Sequence, residues 1–309
     1  MRAYAQVVRD QSTLRSLGSF ASDLERRRDA QVGLSIGLED FDAITGGLEP
    51  GDLVVIAARP GMGKTSLLVT IEAEVAKGSP AAVFSAEMPA QQLTRWSVAL
   101  LGRVSQTRLR HARELTDADW SAIWSAAASV GQLKLWIDDT PLPPLTHIRA
   151  EAFALKAQAG LGVILIDYVQ LVAGAGANRY EQLRDVAYGL KALAKDLAVP
   201  VIVLAQLNRA VETRDRKRPH LSDLRDSGAT EEAADIVGLL YAEGYYNSDF
   251  EMPDVLECAI AKNRNGERGE CLWSFCGDHS RMTVLEDGPR AQYRRLRAAK
   301  QHRGGADDL

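Results

Sequence analysis

Apolar residues recur along the chain in two rhythms. Runs that are apolar at nearly every position begin at Leu53 and span Ala81 to Ser85, Leu133 to Ile137, Val163 to Ile166 and Val201 to Leu204. Short runs of this kind predict strands buried on both faces. Between them the spacing turns helical. A helix is predicted over Gln91 to Leu101, and Thr116 is placed to cap another that displays Trp120, Ile123, Trp124 and Ala127, a stripe that reads as core-facing. A third begins after the PLPP segment around Ile148 and Leu155, and a fourth over Tyr180 to Leu197 aligns Leu183, Val186, Ala187, Leu190, Ala194 and Leu197. Strands buried on both faces that alternate with amphipathic helices predict an α/β fold with a mainly parallel sheet covered on both sides.

The two ends of the chain differ from this middle. Leu38, Phe41 and Ile44 predict a short helical turn ending at Gly46 and Gly47. Ahead of it, Asp10 to Arg28 carries a narrow apolar stripe (Leu14, Leu17, Phe20 or Ala21, and Leu24) that leads into Glu25-Arg26-Arg27-Arg28. Such a helix buries little by itself and docks either on its own core or on a neighbouring subunit. In the last third, Ile236 to Leu240, Val255 to Lys262, Cys271 to Phe275 and Met282 to Leu285 are predicted strands without long helices between them, so they extend the sheet through hairpins. Beyond Gly288 the chain is rich in Arg and Lys without a core pattern and reads as disordered. The expected organisation is an arm over residues 1–32, one domain over residues 33–287 and a basic tail over residues 288–309.

Composition narrows the class. With 309 residues, 46% hydrophobic and 25% charged, the chain can bury one large core or two modest ones, and no run is long and apolar enough for a membrane span. Cys258, Cys271 and Cys276 form no metal-type pair, and no signal-peptide or transit pattern opens the chain, so a cytoplasmic location with structural cysteines is expected. The net charge of −4 excludes a uniformly basic nucleic-acid-binding surface. Any such contact must be local.

The chemistry is concentrated after the first strand. Ala58, four residues, then Gly63-Lys64-Thr65 is the spacing of a P-loop with Ala in place of its usual first Gly. The loop Arg59, Pro60, Gly61, Met62, Gly63, Lys64, Thr65, Ser66 is expected to wrap the phosphates of ATP. Its glycines let successive N–H groups face the phosphates, and the following helix adds its positive end. Lys64 would reach the β- and γ-phosphates and Thr65 would ligate Mg²⁺. In a parallel sheet, ligands gather beyond the carboxyl ends of the strands. Glu87, Asp167 and Gln206 each fall at such an end, beside the P-loop. Asp167 after an apolar strand fits a Walker B aspartate that holds Mg²⁺, Glu87 fits a general base for the attacking water, and Gln206 fits a γ-phosphate sensor.

Two basic features follow. Asn208 to Ser227 reads as a long irregular segment with Arg209, Arg214, Arg216, Lys217, Arg218 and Arg225, either a nucleic-acid contact that nucleotide state can move or a solvated charge run. The small-residue loop Ala173 to Asn178 is a second candidate contact. Lys262 and Arg264 have period-two spacing before Asn265-Gly266, so in an extended strand they share one side. They are either a surface pair or fingers inserted into a neighbour's site.

The segments AARPGMGKT (57–65), SAEMP (85–89), VILIDYVQL (163–171), VIVLAQLNR (201–209), KRPHLSDLRDSGATEEAAD (217–235) and AKNRNG (261–266) resemble, in order, the motifs of the motor domain of DnaB-type replicative helicases. The resemblance runs from about Val32 to about Asp287. It implies a RecA-like P-loop NTPase fold and a homo-oligomeric, hexameric ring with ATP and Mg²⁺ between subunits. It also implies 5′ to 3′ translocation on single-stranded DNA during replication, with a helicase loader or primase as further partners. By the same resemblance Lys64, Glu87, Asp167 and Gln206 are catalytic and Lys262 and Arg264 are the trans-acting basic pair. Arg225, Asp226 and Gly228 match the DNA-gripping loop, with Asp226 in place of the more usual Glu and Arg209 nearby. Members carry a helical domain before the linker helix, whereas here Asp10 to Arg28 occupies the linker position close to the first residue. A RecA-like recombinase or signalling ATPase, and an ATP-binding regulator of a full-length helicase, are the alternative functions for the same rim of residues.

Overall fold

Runs of apolar residues on both faces force the strands into the middle of a layered structure. The computed structural model describes the backbone of residues 33–303 and the side chains of residues 33–224 and 228–300. The helix expected over Asp10 to Arg28 therefore lies outside the described residues. In chain order, α1 (Glu39–Thr45) leads to β1 (Leu53–Ala58), α2 (Lys64–Gly78), β2 (Ala81–Ser85), α3 (Ala90–Gly102), α4 (Gln106–Arg110) and α5 (Asp117–Val130). Then come β3 (Leu135–Asp138), α6 (Leu145–Ala159), β4 (Val163–Asp167), α7 (Arg179–Leu197) and β5 (Val201–Gln206). The remainder is α8 (Gly228–Ala233), β6 (Ile236–Ala242), α9 (Glu243–Tyr246), β7 (Val255–Asn263), β8 (Gly269–Cys276), β9 (Arg281–Val284) and α10 (Asp287–Arg303).

Among the described residues nine strands make one sheet in the order β3-β2-β4-β5-β1-β6-β7-β8-β9. The pairs from β3 to β6 are parallel, and the pairs joining β6 to β7, β7 to β8 and β8 to β9 are antiparallel. The expected α/β class and the hairpin extension are both present. Strand β1 shows why the sheet is central: Val54, Ile56 and Ala58 point into one apolar layer and Leu53, Val55 and Ala57 into the other. Successive side chains of a strand alternate faces, so a run with no polar residue must have a core on each side.

Helix α5 corrects one expectation. Thr116 does cap it, through a capping box with Asp119. The Trp120, Ile123, Trp124 and Ala127 stripe is not the core face, however: Trp120 is 42% and Trp124 70% exposed, Ala127 is exposed and Ile123 is half-buried. The buried face is instead the small-residue one, where Ala126 packs beside Gly102 of α3. Around the helix Ala126 lies about 120° from Trp120 and about 160° from Trp124. Ala and Gly let two helices approach closely, which a reading weighted toward bulky apolar residues does not register.

The expected disordered tail is also corrected, because residues 287–303 form α10. Its apolar anchor is Tyr293, wholly buried in a satellite cluster with Val255, Leu272 and Leu285. The Tyr293 hydroxyl donates to Glu257, a carboxylate whose side chain is 2% exposed and which also receives Arg218 and Arg297. Arg290 pairs with Asp40, Arg297 also with Glu270, and Lys300 with Glu243. The helix is thus held by charges on a remote surface, and its own sequence carries no apolar stripe. A buried carboxylate stripped of one partner costs about 3–5 kcal/mol, so Glu257 binds α10 and the Arg218 segment to β7 firmly.

The segment from Asn208 to Ser227 is more ordered than its sequence suggests. Short 3-10 turns span Arg209–Thr213 and Leu221–Ser227. Val211 and Leu224 are buried under it, and Arg214 pairs with Asp223 at 2.5 Å.

Candidate functional site

The loop after β1 is built by two glycines in the left-handed region, Gly61 at φ 80° and Gly63 at φ 77°. A side chain at Gly63 would also meet Phe275 at 3.1 Å and Met282 at 3.0 Å. Only glycine accepts that turn without strain, and it delivers the chain directly into α2, whose first residue is Lys64. The Lys64 ammonium donates to the carbonyls of Ala58 and Arg59, each at 3.4 Å. Burial pulls its pKa below the usual lysine range, while the carboxylates of Asp167 and Glu87 oppose that shift.

Parallel pairing places the strand ends side by side. Ser85 at the end of β2 is in register with Asp167 at the end of β4, and Ala58 at the end of β1 with Gln206 at the end of β5. Thr65 Oγ1 donates to Asp167 Oδ2 at 3.0 Å. Asp167 is fully buried, and burial pushes its pKa up to about 6 against the Thr65 hydrogen bond. Its other oxygen, Oδ1, is buried without a hydrogen-bond partner. A buried orphan carboxylate oxygen next to a threonine hydroxyl is a fit for a hard cation such as Mg²⁺, which takes few protein ligands and completes its shell with water and phosphate oxygens. Among the described residues no cluster of three or more His, Cys, Asp or Glu offers a denser metal site.

A cleft of about 290 Å³ opens over this rim. Pro60, Gly61, Gly63, Lys64, Thr65, Ser66, Glu87 and Gln206 line it, as the sequence pattern leads one to expect. Two loop residues do not. Met62 is buried in the apolar layer, and the Arg59 side chain turns away to donate to Glu212 at 2.9 Å and to the Leu207 carbonyl at 2.7 Å. Arg59 therefore contributes its backbone to the loop, while its guanidinium fastens the loop to the segment after Gln206. Sequence reasoning missed Trp96, Tyr168, Phe275 and Gly277, which wall the same cleft. Phe275 belongs to β8, three places from β1 in the sheet order, and carries no local motif, so nothing in its vicinity could have marked it. Gln170, inside the matched VILIDYVQL segment, accepts from the Gln206 N–H at 3.2 Å and donates to its carbonyl at 3.1 Å. That two-way bond couples the strand end carrying Asp167 to the strand end carrying Gln206.

The remaining candidates lie elsewhere. Arg209 is exposed beside Gln206 and Arg179. Arg225 and Asp226 have backbone in the Leu221–Ser227 turn, and Gly228 opens α8. Lys262 and Arg264 do face the same way, toward the end of α8. Lys262 donates to the Glu231 and Glu232 carbonyls, and Arg264 to the Glu232 carbonyl and to Asp235. Their position in the sheet is decisive. Asn263 pairs with Ile236, which pairs with Val54 near the start of β1, whereas Lys64 follows the end of β1. Four residue steps along β1, about 13 Å, and two strand spacings, about 10 Å, lie between them, and the pair engages α8 and Asp235 rather than the P-loop of its own chain.

Comparison with known proteins gives a consistent picture. Residues 33–283 match the family model for the DnaB-like helicase C terminal domain. The chain is 40% identical over 270 residues to the replicative DNA helicase DnaB of Geobacillus stearothermophilus, and 39% identical over 268 residues to the replicative DNA helicase DnaC of Bacillus subtilis (strain 168). Each alignment covers 85% of this chain but 59% of the relative, so the chain spans about three fifths of the length of these relatives. Among solved structures, one described as an ATPase domain superposes with a TM-score of 0.86 at 30% identity, covering 90% of this chain and all of that one. A DnaB-like replicative helicase studied with its primase interactions superposes at 0.83 and 30% identity, covering 88% of this chain and 66% of that one.

Proposed function

The chain belongs to the DnaB-like helicase C-terminal domain family, and on that premise we propose that it is the ATP-hydrolysing motor of a replicative DNA helicase. In this reading it works in the cytoplasm as a hexameric ring that moves 5′ to 3′ along single-stranded DNA, with a loader or primase as further partners. The supporting observation is the separation of the two halves of the chemistry. Lys64, Thr65, Glu87, Asp167 and Gln206 meet at one rim of the sheet, while Lys262 and Arg264 sit together at its opposite rim. A complete site in this reading takes two copies of the chain, joined by a head-to-tail interface whose repetition through a closing rotation gives a ring.

Within the site each residue has a separable task. Lys64 and the loop N–H groups hold the phosphates of ATP, and Thr65 and Asp167 hold Mg²⁺. Bound there, the metal neutralises charge on the phosphate oxygens. Glu87 projects from beyond β2, free of the apolar layers, and takes the proton of the attacking water. Gln206 reports the γ-phosphate to the Asn208 to Ser227 segment, with which it is continuous. That segment runs directly into Gly228, the first residue of α8, and the last residues of α8 receive Lys262 and Arg264. A helix of six residues, about 9 Å long, thus connects the DNA-gripping loop to the finger pair that reaches the next subunit.

The proposal is tested by ATP hydrolysis with and without an oligo-dT strand, on the wild type and on Arg225→Ala. Single-stranded DNA should accelerate wild-type turnover. Arg225→Ala should bind the strand more weakly and with a flatter salt dependence, the slope falling by about 0.7 for each phosphate no longer neutralised. Wild-type hydrolysis indifferent to single-stranded DNA would count against a DNA motor and in favour of a signalling or assembly ATPase.

A further inference from the structure

Two basic stretches stand out from a chain of net charge −4: Arg214 to Arg218, and the Arg- and Lys-rich α10. They are distant in sequence, yet the fold brings both to the wall of one cleft of about 900 Å³. Arg216 and Lys217 enter it from the first stretch, Arg297 and Lys300 from α10, and Tyr241 and Tyr246 from the end of β6 and from α9. The buried Glu257 holds the walls together, because Arg218 and Arg297 both bind it and Tyr293 of α10 donates to it.

The charges lining the cleft divide into two sets. One set is occupied by the frame: Arg214 with Asp223, Arg218 and Arg297 with Glu257. The other faces outward. Among the described residues Arg216 and Lys217 pair with no carboxylate, Lys217 lies 5.1 Å above the Tyr246 ring, and the Lys300 pair with Glu243 leaves the lysine side chain 53% exposed. Two polar atoms of lining residues, Arg214 Nε and the Tyr246 hydroxyl, are buried without a hydrogen-bond partner. The lining also carries Asp215 and Glu243, the latter held by Lys300, so the cations available to a ligand are Arg216 and Lys217, with Lys300 half-exposed beside them; together with buried donors that lack acceptors they fit an anionic oxygen-rich ligand. The volume is several times what a single phosphate fills and lies at the upper end of ligand sites, which suits a run of phosphates.

We propose that this cleft binds the phosphodiester backbone of a strand of nucleic acid, as a contact additional to the Arg225 to Gly228 loop. The proposal rests on the reading of the chain as a single-stranded DNA motor. Tyr246 stands edge-to-face with Tyr245 at 5.0 Å, and Tyr245 lies 3.1 Å from where a side chain at Gly61 would begin. The cleft is therefore a neighbour of the P-loop, and a strand lying in it would adjoin the nucleotide.

The test is oligo-dT binding across a salt series by the triple variant Arg216→Ala, Lys217→Ala, Lys300→Ala, with Arg225→Ala and the wild type in parallel. Leaving three phosphates without their cations should lower the slope of log affinity against log salt by about 2, and affinity should fall at least about tenfold near 50 mM salt. The charge-conserving pair Arg216→Lys, Lys217→Arg should keep the wild-type slope, which a purely structural role for the arginine would not require. A thermal melt monitored by circular dichroism shows whether the triple variant is folded; if it is not, the double variant Arg216→Ala, Lys217→Ala gives the same test with a slope change of about 1.4. Wild-type affinity and slope in the folded variant would overturn the proposal. So would loss of tripolyphosphate binding with oligo-dT binding intact, which would make the cleft a site for free polyphosphate. A wild type that binds no oligo-dT removes the motor reading and the cleft with it, whereas a wild type and triple variant that bind alike while Arg225→Ala fails removes the cleft alone.

Discussion

Arg264→Ala is expected to lower ATP turnover by on the order of 10³ to 10⁵, the usual effect of losing a cation that stabilises charge on the transferred phosphoryl group. The reason lies in the sheet. Arg264 is fixed beside Asp235 and the end of α8, at the opposite end of β1 from the P-loop, so in the proposed ring the γ-phosphate it serves is one held by another subunit. Lys64→Ala should be equally inactive for a different reason, since it removes the phosphate anchor. Mixed rings separate cis from trans action. An interface that joins the intact Lys64 of an Arg264→Ala subunit to the intact Arg264 of a Lys64→Ala neighbour is complete only if the finger acts in trans, and random mixing makes about a quarter of interfaces complete. Recovery of hydrolysis on mixing two inactive variants is the expected result. No recovery, with subunit exchange verified and with rings carrying one defective subunit still active, would place the finger in cis.

The second large effect is expected at Glu87. Glu87→Gln keeps the size of the side chain and removes its basicity, so ATP should bind nearly as in the wild type while turnover falls by on the order of a hundredfold or more. Glu87 lies at the rim with Lys64 and Asp167, close enough for its charge to act on both. Nucleotide binding followed by a fluorescent ATP analogue, together with steady-state phosphate release, distinguishes the two quantities. Undiminished release would assign the proton to another base, and loss of binding would mean that Glu87 holds the nucleotide rather than activating water.

What the sequence made visible follows from how locally each feature is encoded. The strands of the parallel sheet were legible because burial on both faces leaves no polar position, and β1 with Leu53 to Ala58 shows this at every residue. The polar rim was legible because parallel strands present their ends together, so the pattern of strand ends placed Glu87, Asp167 and Gln206 beside Lys64, where the structure also gathers them. Phe275 and Trp96 were not, because they reach the cleft from elements that have no fixed sequence distance to the P-loop. The Trp120 and Trp124 face was misjudged since the helix buries its alanines against Gly102 instead. The tail was misjudged because α10 is held by a single tyrosine and by carboxylates on β7, β8 and α9, whose partners cannot be identified from a run of arginines. Where one residue type and its spacing determine the environment, the chain is readable; where long-range ion pairs determine it, the fold must be seen.

The central claim is that this chain converts ATP hydrolysis into directional movement on DNA. The most direct measurement is strand displacement with ATP and Mg²⁺ on a forked duplex that bears a single-stranded tail at either its 5′ or its 3′ end. Displacement is expected from the 5′-tailed substrate and should be abolished by Glu87→Gln and by Arg264→Ala. Displacement that requires the 3′ tail, or none from either substrate by rings that hydrolyse ATP in response to single-stranded DNA, would contradict it.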